Sequence, residues 1–336
     1  MSKKITFRDI AARASVGTAT VERVLNGRGG VKPETVEKVI AAARRLDYPK
    51  RLPELHKGVL RVEVLLARPE LHFIARLSRA FERIAATLDT SIMVHRTFVD
   101  EDRPEATAER IARPGMRRSA LIVALPQHPA IVEALNKAKA SGLPIVQVMT
   151  RLEGVNTDFV GIDNRAAGRM AGLLLHGMQE KGGTVVALCH SQIYAVHRER
   201  LGGFSDYMLR QRDGRMNFKQ ISFMRDDARE LTSVMADILR ATPDLAGAYI
   251  AGGDYGLLFD MLRKHSKHES LCLIGHELTD LTAAALKDGT MAAVIDQVPE
   301  TQARRALDLV LHRLGLLKQA VDLSPIRFVT VTSENV

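Results

Sequence analysis

The chain has few cysteines, no tryptophan and no long apolar run. Cys189 and Cys272 lie far apart in apolar segments, so we expect buried free thiols rather than a disulfide or a metal site. The lack of Trp is compatible with any fold. No apolar stretch is long enough to span a bilayer, and no apolar signal core follows the basic N-terminus. These features favour a cytoplasmic protein that has no membrane partner.

Motifs that would indicate catalysis or metal binding are also missing. The sequence has no Walker-type phosphate loop, no metalloprotease helix motif, no paired CxxC and no nucleophile elbow. His265 and His268 have helical spacing, but they lie among Lys and Ser, as on a solvated face. We therefore expect a protein that is not an enzyme, with no catalytic residue, no cofactor and no metal.

Positive charge is concentrated near the N-terminus. The first 60 of the 336 residues contain 13 Lys and Arg against 6 Asp and Glu, a formal charge of +7, whereas the rest carries +2. A basic segment joined to a nearly neutral body indicates a polyanionic partner for that segment alone. Charge alone is also compatible with a membrane-surface anchor or with a segment that only increases solubility. The spacing of the apolar residues distinguishes these interpretations.

That pattern predicts three short helices. Thr6 and Asp9 fit a capping box that opens the first helix, and residues 14–16 form a tight turn. The second helix runs from about Thr18 to Leu25, and Pro33 opens the third. Each helix has a narrow apolar face that can be buried only against the other two. The apolar positions are Phe7, Ile10, Ala11, Ala14, Val21, Val24, Leu25, Val36, Val39, Ile40, Ala43 and Leu46.

Two short helices joined by a tight turn form a helix-turn-helix, whose second helix fits the major groove of DNA. A generic three-helix bundle is the alternative. The small residues and the arginine on the outward side of the second helix, within a basic segment, favour DNA binding.

The run from Ile5 to Gly27, followed by the run from Val31 to Tyr48, resembles the DNA-binding headpiece of the lac repressor/galactose repressor family. The resemblance is continuous, and it implies a double-stranded DNA operator as partner. It places Thr18, Ala19 and Arg23 at base-reading positions, and Thr20 and Asn26 nearer the phosphates. The planar fork of Arg23 matches the acceptor pair of guanine.

The chain departs from the family at three positions. Gly17 stands where a serine usually caps the recognition helix, which leaves Thr18 as a substitute cap. Glu22 replaces a small outward residue, where it can accept a hydrogen bond from cytosine or repel phosphate. Lys32 replaces the usual cap of the third helix.

Residues 49–58 are expected to link a DNA-binding domain, residues 1–48, to a larger domain, residues 59–336. The linker contains two prolines and ends at a glycine. The resemblance implies a hinge helix that wedges a leucine into the minor groove, with Leu55 as first candidate and Leu52 as second. A plain tether is an equally open interpretation.

Apolar runs alternate with helix-like stretches along the larger domain. This order predicts an α/β fold of doubly wound parallel sheets, and the number of strands indicates two lobes. The expected strands are Leu60–Leu66, Ser91–Val94, Ala120–Leu125, Ile145–Met149, Phe159–Ile162, Thr184–Leu188, Gln220–Phe223, Gly247–Ala251, Leu271–Gly275, Ala292–Ile295 and Arg327–Val331. The expected helices are Ile74–Leu88, Pro129–Ser141, Arg165–Gln179, Arg200–Gln211, Ala228–Arg240, Tyr255–Lys264 and Pro299–Leu314.

Local sequence in this part resembles the periplasmic sugar-binding-protein fold of the same family's effector domain. The matching runs are 140–146, 160–164 and 200–204. Ligands in such folds bind at the carboxyl ends of strands, here between the lobes. The candidate effector-binding residues, which follow strands or match family positions, are Phe73, Arg151, Arg200, Phe223, Asp254, Glu277 and Gln297.

These observations predict a sequence-specific DNA-binding transcriptional regulator. We expect a repressor controlled by a sugar, a polyol or a sugar derivative bound between the lobes. Because no leucine heptad closes the sequence, we expect a homodimer rather than a tetramer. The alternative is a sugar-binding protein of transport type, which predicts a signal peptide and no basic headpiece.

Overall fold

A computed structural model describes residues 5–26, 31–46, 48, 59–189, 194–223, 228–253, 255–263 and 271–336. The chain divides into two compact units, Met1–Leu60 and Arg61–Val336. Most of the expected linker, with Leu52 and Leu55, lies outside the described residues, so the hinge and tether interpretations both stay open.

The smaller unit contains three helices, α1 (Phe7–Ala14), α2 (Thr18–Leu25) and α3 (Pro33–Arg45). Thr6 caps α1 in the expected capping box, with its backbone N donating to Asp9 Oδ2 at 2.8 Å. Ser15 ends α1 in the left-handed conformation, which turns the chain sharply into α2. The buried residues that hold the three helices together are Ile10, Ala11, Ala14, Val21, Val24, Val39, Ile40, Ala42 and Ala43.

The start of α2 differs from expectation. Gly17 itself occupies the N-cap position and offers no side-chain acceptor, so Thr18 is the first helical residue and not a substitute cap. A glycine cap costs little, because the backbone is already extended at this position.

The larger unit contains eleven strands and nine helices among its described residues. The strands are β1 (Leu60–Ala67), β2 (Ile92–Val99), β3 (Ala120–Ala124), β4 (Ile145–Val148), β5 (Asp158–Val160), β6 (Gly183–Cys189), β7 (Met216–Phe223), β8 (Leu245–Gly252), β9 (Cys272–His276), β10 (Ala293–Asp296) and β11 (Val329–Val331). The helices are α4 (His72–Ala85), α5 (Pro104–Ala112), α6 (Pro129–Ala140), α7 (Asn164–Met178), α8 (Ala195–Arg210), α9 (Ala228–Ala241), α10 (Tyr255–Arg263), α11 (Asp280–Lys287) and α12 (Pro299–Arg313).

Each expected strand corresponds to one of these, whereas α5 and α11 were not expected. The expected start of α8 was also wrong, because the helix begins five residues before Arg200, at Ala195.

The strands form two sheets, which define two lobes. The first lobe has the order β2-β1-β3-β4-β5, and the second has β11-β10-β9-β8-β6-β7. Strands β1, β3, β4 and β5 pair in parallel, as do β7, β6, β8, β9 and β10, whereas β10 and the C-terminal β11 are antiparallel. Helix α12 follows a strand of the second lobe but packs on α4 and β4 of the first. The chain therefore crosses between lobes after β5, after β10 and before β11.

Backbone pairing joins the three crossing segments. Ile162, after β5, pairs with Ile326, which precedes β11. Asp296, at the end of β10, pairs with Val329 at the start of β11. The segment that leads into β11 therefore pairs with both of the other crossing segments.

Helices α7 and α8 approach each other unusually closely. A Cβ atom added to Gly168 of α7 would overlap the backbone oxygen of Arg200, and one added to Gly203 of α8 would overlap that of Arg165. Only glycine permits this approach, which fixes the first turns of α8 against α7. The backbone of Arg200 is therefore set by packing.

Substitution of Gly168 by Ala tests this packing. Because the new methyl group would force the two backbones apart, we expect the free energy of unfolding to fall by about 1–3 kcal/mol or more. Gly177→Ala on the same helix is the control, since its Cβ would meet no atom within 4 Å. That variant should be stabilised by up to about 1 kcal/mol through helix propensity. Urea unfolding of both variants measures the difference, and equal effects would contradict the close approach.

Candidate functional site

The outward face of α2 carries the residues expected to contact DNA. Thr18, Ala19, Glu22, Arg23 and Asn26 are exposed, whereas Thr20 is half-buried. Their helical spacing places them opposite the buried Val21 and Val24, which anchor α2 to the other helices. The structure therefore gathers six of the seven expected DNA-binding residues on or beside one helix, and the seventh, Leu55, lies outside the described residues.

A cavity of about 440 Å³ lies between the lobes. Its size falls in the range of small-molecule sites, and its walls combine apolar and polar side chains. From the first lobe the walls include Arg68, Leu71, Phe73, Ile74 and Met149. From the second lobe and the crossing segments they include Tyr194, His197, Arg200, Tyr255, Glu277 and Gln297.

Strained backbone surrounds this cavity. Arg68 follows β1 with φ 56°, Met149 follows β4 with φ 66°, and Glu277 follows β9 with φ 69°. Val298, next to the cavity residue Gln297, has φ 54° although its side chain is β-branched. Non-glycine residues rarely adopt positive φ, and such residues cluster where a binding site fixes the chain. The strain lies at the carboxyl ends of parallel strands, where ligands of this fold class bind.

The guanidinium group of Arg200 is almost fully buried beside the cavity. Its Nε donates to Asn164 Oδ1 at 3.0 Å, and its Nη1 donates to the backbone oxygen of Ala251 at 2.8 Å. Its Nη2 lies 3.9 Å from Glu277 Oε1 and has no hydrogen-bond partner among the described residues. The arginine is thus held on two sides and keeps one donor available.

Glu277 supplies a buried carboxylate. Its Oε1 accepts a hydrogen bond from Gln297 Nε2, and its backbone N donates to the oxygen of Ile295 at 3.1 Å. Burial raises the pKa of Glu277 to about 7, against an opposing effect of Arg200. Near neutral pH this side chain can therefore either accept or donate a proton.

Two tyrosines fix the residue before Glu277. The hydroxyl group of Tyr255 donates to the backbone oxygen of His276 at 2.8 Å and accepts from its backbone N at 2.6 Å. The hydroxyl group of Tyr249 lies 2.7 Å from His276 Nε2. Burial holds the pKa of His276 well below its ordinary value, so the ring is neutral. These contacts hold the turn that carries Glu277.

Four buried polar atoms of the cavity residues lack a partner in the described part of the chain. One is Nδ1 of His276, and the other three are the donor Nη2 of Arg200 and the acceptors Oε2 of Glu277 and Oε1 of Gln297. Buried polar atoms of folded proteins are nearly always hydrogen-bonded, so an unmatched set at a cavity fits a polar ligand. One donor beside two acceptors suits neighbouring hydroxyl groups, because each hydroxyl both donates and accepts.

Contacts between the lobes border the cavity. The hydroxyl group of Tyr194, at the start of α8, donates to Glu101 Oε2 of the first lobe at 2.8 Å. Arg198 Nη2 lies 2.6 Å from Glu153 Oε1, again joining the two lobes. The two lobes are therefore in direct contact in the described structure.

Four of the seven expected effector-binding residues share this cavity: Phe73, Arg200, Glu277 and Gln297. Arg151 is not among its described lining residues. Its guanidinium group lies 4.7 Å from the ring centroid of Phe159 instead, on the exposed surface. Asp254 and the side chain of Phe223 are outside the described part of the chain.

Several lining residues were not expected from the sequence, namely Arg68, Tyr194, His197, Tyr255 and His276. His276 directly follows the expected strand Leu271–Gly275, and Tyr255 comes two residues after Gly253. Both positions resemble those of the expected candidates, which also come just after strands. Arg68 and Tyr194 come from opposite lobes, and no local pattern marks them.

Within the described residues, no cluster of three or more His, Cys, Asp or Glu side chains is arranged to hold a metal ion. Among the described helices, none combines the length and apolar character that crossing a membrane requires.

Both parts of the chain match known families. Residues 73–315 match the sequence profile of the periplasmic binding protein domain, and residues 6–50 match that of the bacterial regulatory proteins of the lacI family. The chain belongs to the periplasmic binding protein domain family, whose profile covers most of the two lobes. The lacI-family match is confined to the three helices of the smaller unit and the residues just after them.

Relatives of this chain include named regulators. Catabolite control protein A of Priestia megaterium is 34% identical over 102 residues, which cover 30% of this chain and 31% of the relative. The HTH-type transcriptional regulator MalR of Streptomyces coelicolor is 31% identical over 169 residues, 48% of each chain. The chain thus spans about a third to a half of the length of these curated relatives.

The fold of the larger unit has solved counterparts. A periplasmic solute-binding protein of an ABC transporter from Actinobacillus succinogenes 130z, solved with bound D-allose, superposes with a TM-score of 0.71 at 20% identity. The match covers 82% of this chain and 98% of that protein. At this identity the likeness establishes the fold and no more.

The raised pKa of Glu277 predicts a pH dependence of stability. The folded state retains a proton on this side chain that the unfolded chain loses near its ordinary pKa of 4.5. The stabilisation is therefore complete below that pKa and disappears as the pH rises through about 7. Relative to Glu277→Gln, the wild type should lose up to about 3 kcal/mol of unfolding free energy across this range.

Urea unfolding at a series of pH values measures the effect. Glu180→Gln, at an exposed position, is the matched control for the loss of a carboxylate. A constant difference between the wild type and Glu277→Gln at all pH values would contradict the assignment.

Proposed function

We propose that this chain is a sequence-specific DNA-binding transcriptional repressor whose affinity for its operator is controlled by a small sugar-like effector bound between the lobes. The observation that carries the proposal is the presence in one chain of a lacI-type helix-turn-helix and a cavity with unmatched polar atoms. Neither feature alone would link DNA binding to a small molecule.

The exposed face of α2 supports the DNA-binding part. A recognition helix has to present polar and small side chains to base edges while its other face is packed, as α2 does. The charge of +7 on the first 60 residues supplies attraction to phosphates that does not depend on sequence. Sequence preference then rests on the side chains of α2, with Arg23 as guanine reader.

The cavity supports the effector part. Arg200, Glu277 and Gln297 offer one donor and two acceptors at one end, and Phe73 contributes an apolar ring to the wall. A sugar or polyol presents adjacent hydroxyl groups together with C–H faces, which suits this combination. Control of DNA binding requires the effector to bind the conformations of the protein with unequal affinity.

A sugar-binding protein of transport type is the second candidate. The superposition on solute-binding proteins, one of them solved with D-allose, favours this candidate for the larger unit. The three-helix unit at residues 6–50 favours the regulator, because transport does not require a recognition helix. We also propose that the effector is bound without being chemically changed and that the protein acts in the cytoplasm, where DNA is present.

We further propose a homodimer that reads two adjacent half-sites of a roughly palindromic operator. The edge strand β2 of the first lobe supports this proposal, because it exposes Met93 (48%) and Phe98 (49%). An edge strand with large apolar residues is suited to contact with a second copy of the chain.

Arg23→Ala tests the DNA-binding part. After an operator is selected from a pool of random duplexes, the variant should lose about 1–3 kcal/mol of binding free energy and discriminate less at one base pair. Arg13→Ala, which removes the same charge from an exposed position on α1, should weaken binding evenly across sequences. An unchanged base preference in Arg23→Ala would rule out the role given to this residue.

A thermal-shift screen tests the effector part. Sugars, polyols, sugar acids and sugar phosphates are tried on the full chain, and a ligand at a hundredfold excess over its Kd should stabilise it by about 2.7 kcal/mol. Arg200→Gln should weaken the binding of any hit about tenfold or more, because a charge-assisted hydrogen bond is lost. Arg151→Gln, which removes the same charge outside the described cavity lining, should not.

The hit is then added to the protein bound to its operator. A fall in operator affinity supports the proposed repressor, and a rise indicates a corepressor. A ligand that binds with equal affinity to the free and the DNA-bound protein would contradict control by the effector. Turnover of the hit would contradict the proposed absence of catalysis.

A further inference from the structure

A second cavity, of about 180 Å³, lies in the first lobe away from the cleft. We call it the arginine cavity, after the four arginines in its wall. Its charged lining consists of Arg61, Glu63, His95, Arg110, Arg117 and Arg118. Four guanidinium groups therefore face a single carboxylate, which leaves a formal excess of three positive charges.

The single carboxylate is already fully engaged. Glu63 Oε1 lies 2.8 Å from Arg110 Nη2, and its Oε2 lies 2.8 Å from Arg118 Nη1. Burial raises the pKa of Glu63, but the hydrogen bonds from Arg118, Arg110 and Thr97 outweigh burial and hold it below its ordinary value. Glu63 is therefore ionised, and its single negative charge is shared by Arg110 and Arg118. It forms no ion pair with Arg61 or Arg117.

The remaining cationic side chains have no counter-charge within the described residues. Arg61 and Arg117 form no ion pair with another described residue, and the buried Nε of Arg61 has no hydrogen-bond partner in the described structure. The backbone N of Ser119 donates to the backbone oxygen of Arg61 at 2.7 Å, so the loop that carries Arg117 lies beside Arg61. His95 lies on the same face of β2 as Thr97, which contacts Glu63.

A buried arginine donor without an acceptor is costly, and folded proteins supply the missing acceptor. Planar guanidinium groups match the oxygen atoms of a phosphate group, which can accept from several donors at once. We propose that the arginine cavity binds a phosphate group, held mainly by Arg61 and Arg117 with His95 at the edge. This site is separate from the cleft and does not rest on the proposed effector.

The phosphate can belong to a free anion or to a nucleic acid backbone, and the two sources are distinguishable. Inorganic phosphate is titrated into the full chain by calorimetry, with chloride adjusted to keep the ionic strength constant. For a free anion, we expect saturable binding that the double variant Arg61→Gln/Arg117→Gln weakens at least about tenfold. For a nucleic acid, we measure how the binding constant K for the selected duplex depends on salt. In the double variant, the slope of log K against log salt should become shallower by about 0.9 for each phosphate contact that is lost.

Matched variants separate this site from general charge effects and from the cleft. Arg240→Gln and Arg113→Gln together remove the same charge from side chains that are 76% and 84% exposed, and they should change neither measurement. Arg117→Gln alone, at an exposed position, covers the case in which the double variant does not fold. Arg200→Gln would weaken phosphate binding only if the anion occupied the cleft.

Either the calorimetric loss or the change of slope, confined to the variants of Arg61 and Arg117, supports the proposal. It is overturned if both measurements are unchanged in those variants. It is equally overturned if phosphate binding is lost in Arg200→Gln and kept in Arg117→Gln. None of these outcomes depends on whether a sugar binds between the lobes.

Discussion

The guanidinium group of Arg200 is only 3% exposed, and a charge held so far from water is stable only when acceptors surround it. Asn164 of α7 and the end of β8 each accept one hydrogen bond from it, and Glu277 after β9 lies 3.9 Å from the Nη2 that has no hydrogen-bond partner among the described residues. The arginine thus fixes three elements of the second lobe relative to one another. Its position depends in turn on Gly168 and Gly203, which let α7 and α8 touch. The polar end of the cleft therefore follows from a packing constraint between two helices.

Contacts of the neighbouring residue explain why the turn at Glu277 tolerates strain. A glutamate at φ 69° is unfavourable on its own, but two tyrosine hydroxyl groups hold His276, the residue just before it, in place. Burial then favours the protonated carboxyl group, and Gln297 orients it. Backbone strain, desolvation and an unmatched acceptor meet at one residue. Such a combination is typical of a binding site rather than of a structural core.

The order of strands could be predicted because buried parallel strands leave continuous apolar runs in the sequence. Helices α5 and α11 were missed because they bury little: Thr107 and Ile111 in α5, and Thr282, Ala285 and Leu286 in α11. Phe73 was found because it follows a predicted strand, whereas Arg200, Glu277 and Gln297 were found through family resemblance. The lining residues Arg68 and Tyr194 were not, because their part in the cavity arises only when two lobes, built from distant segments, come together.

The three segments that cross between the lobes have a mechanical consequence. They are joined by the pairs Ile162–Ile326 and Asp296–Val329, and the backbone path between the lobes runs through them. Any change in the angle between the lobes therefore has to be absorbed by the backbone of these few residues.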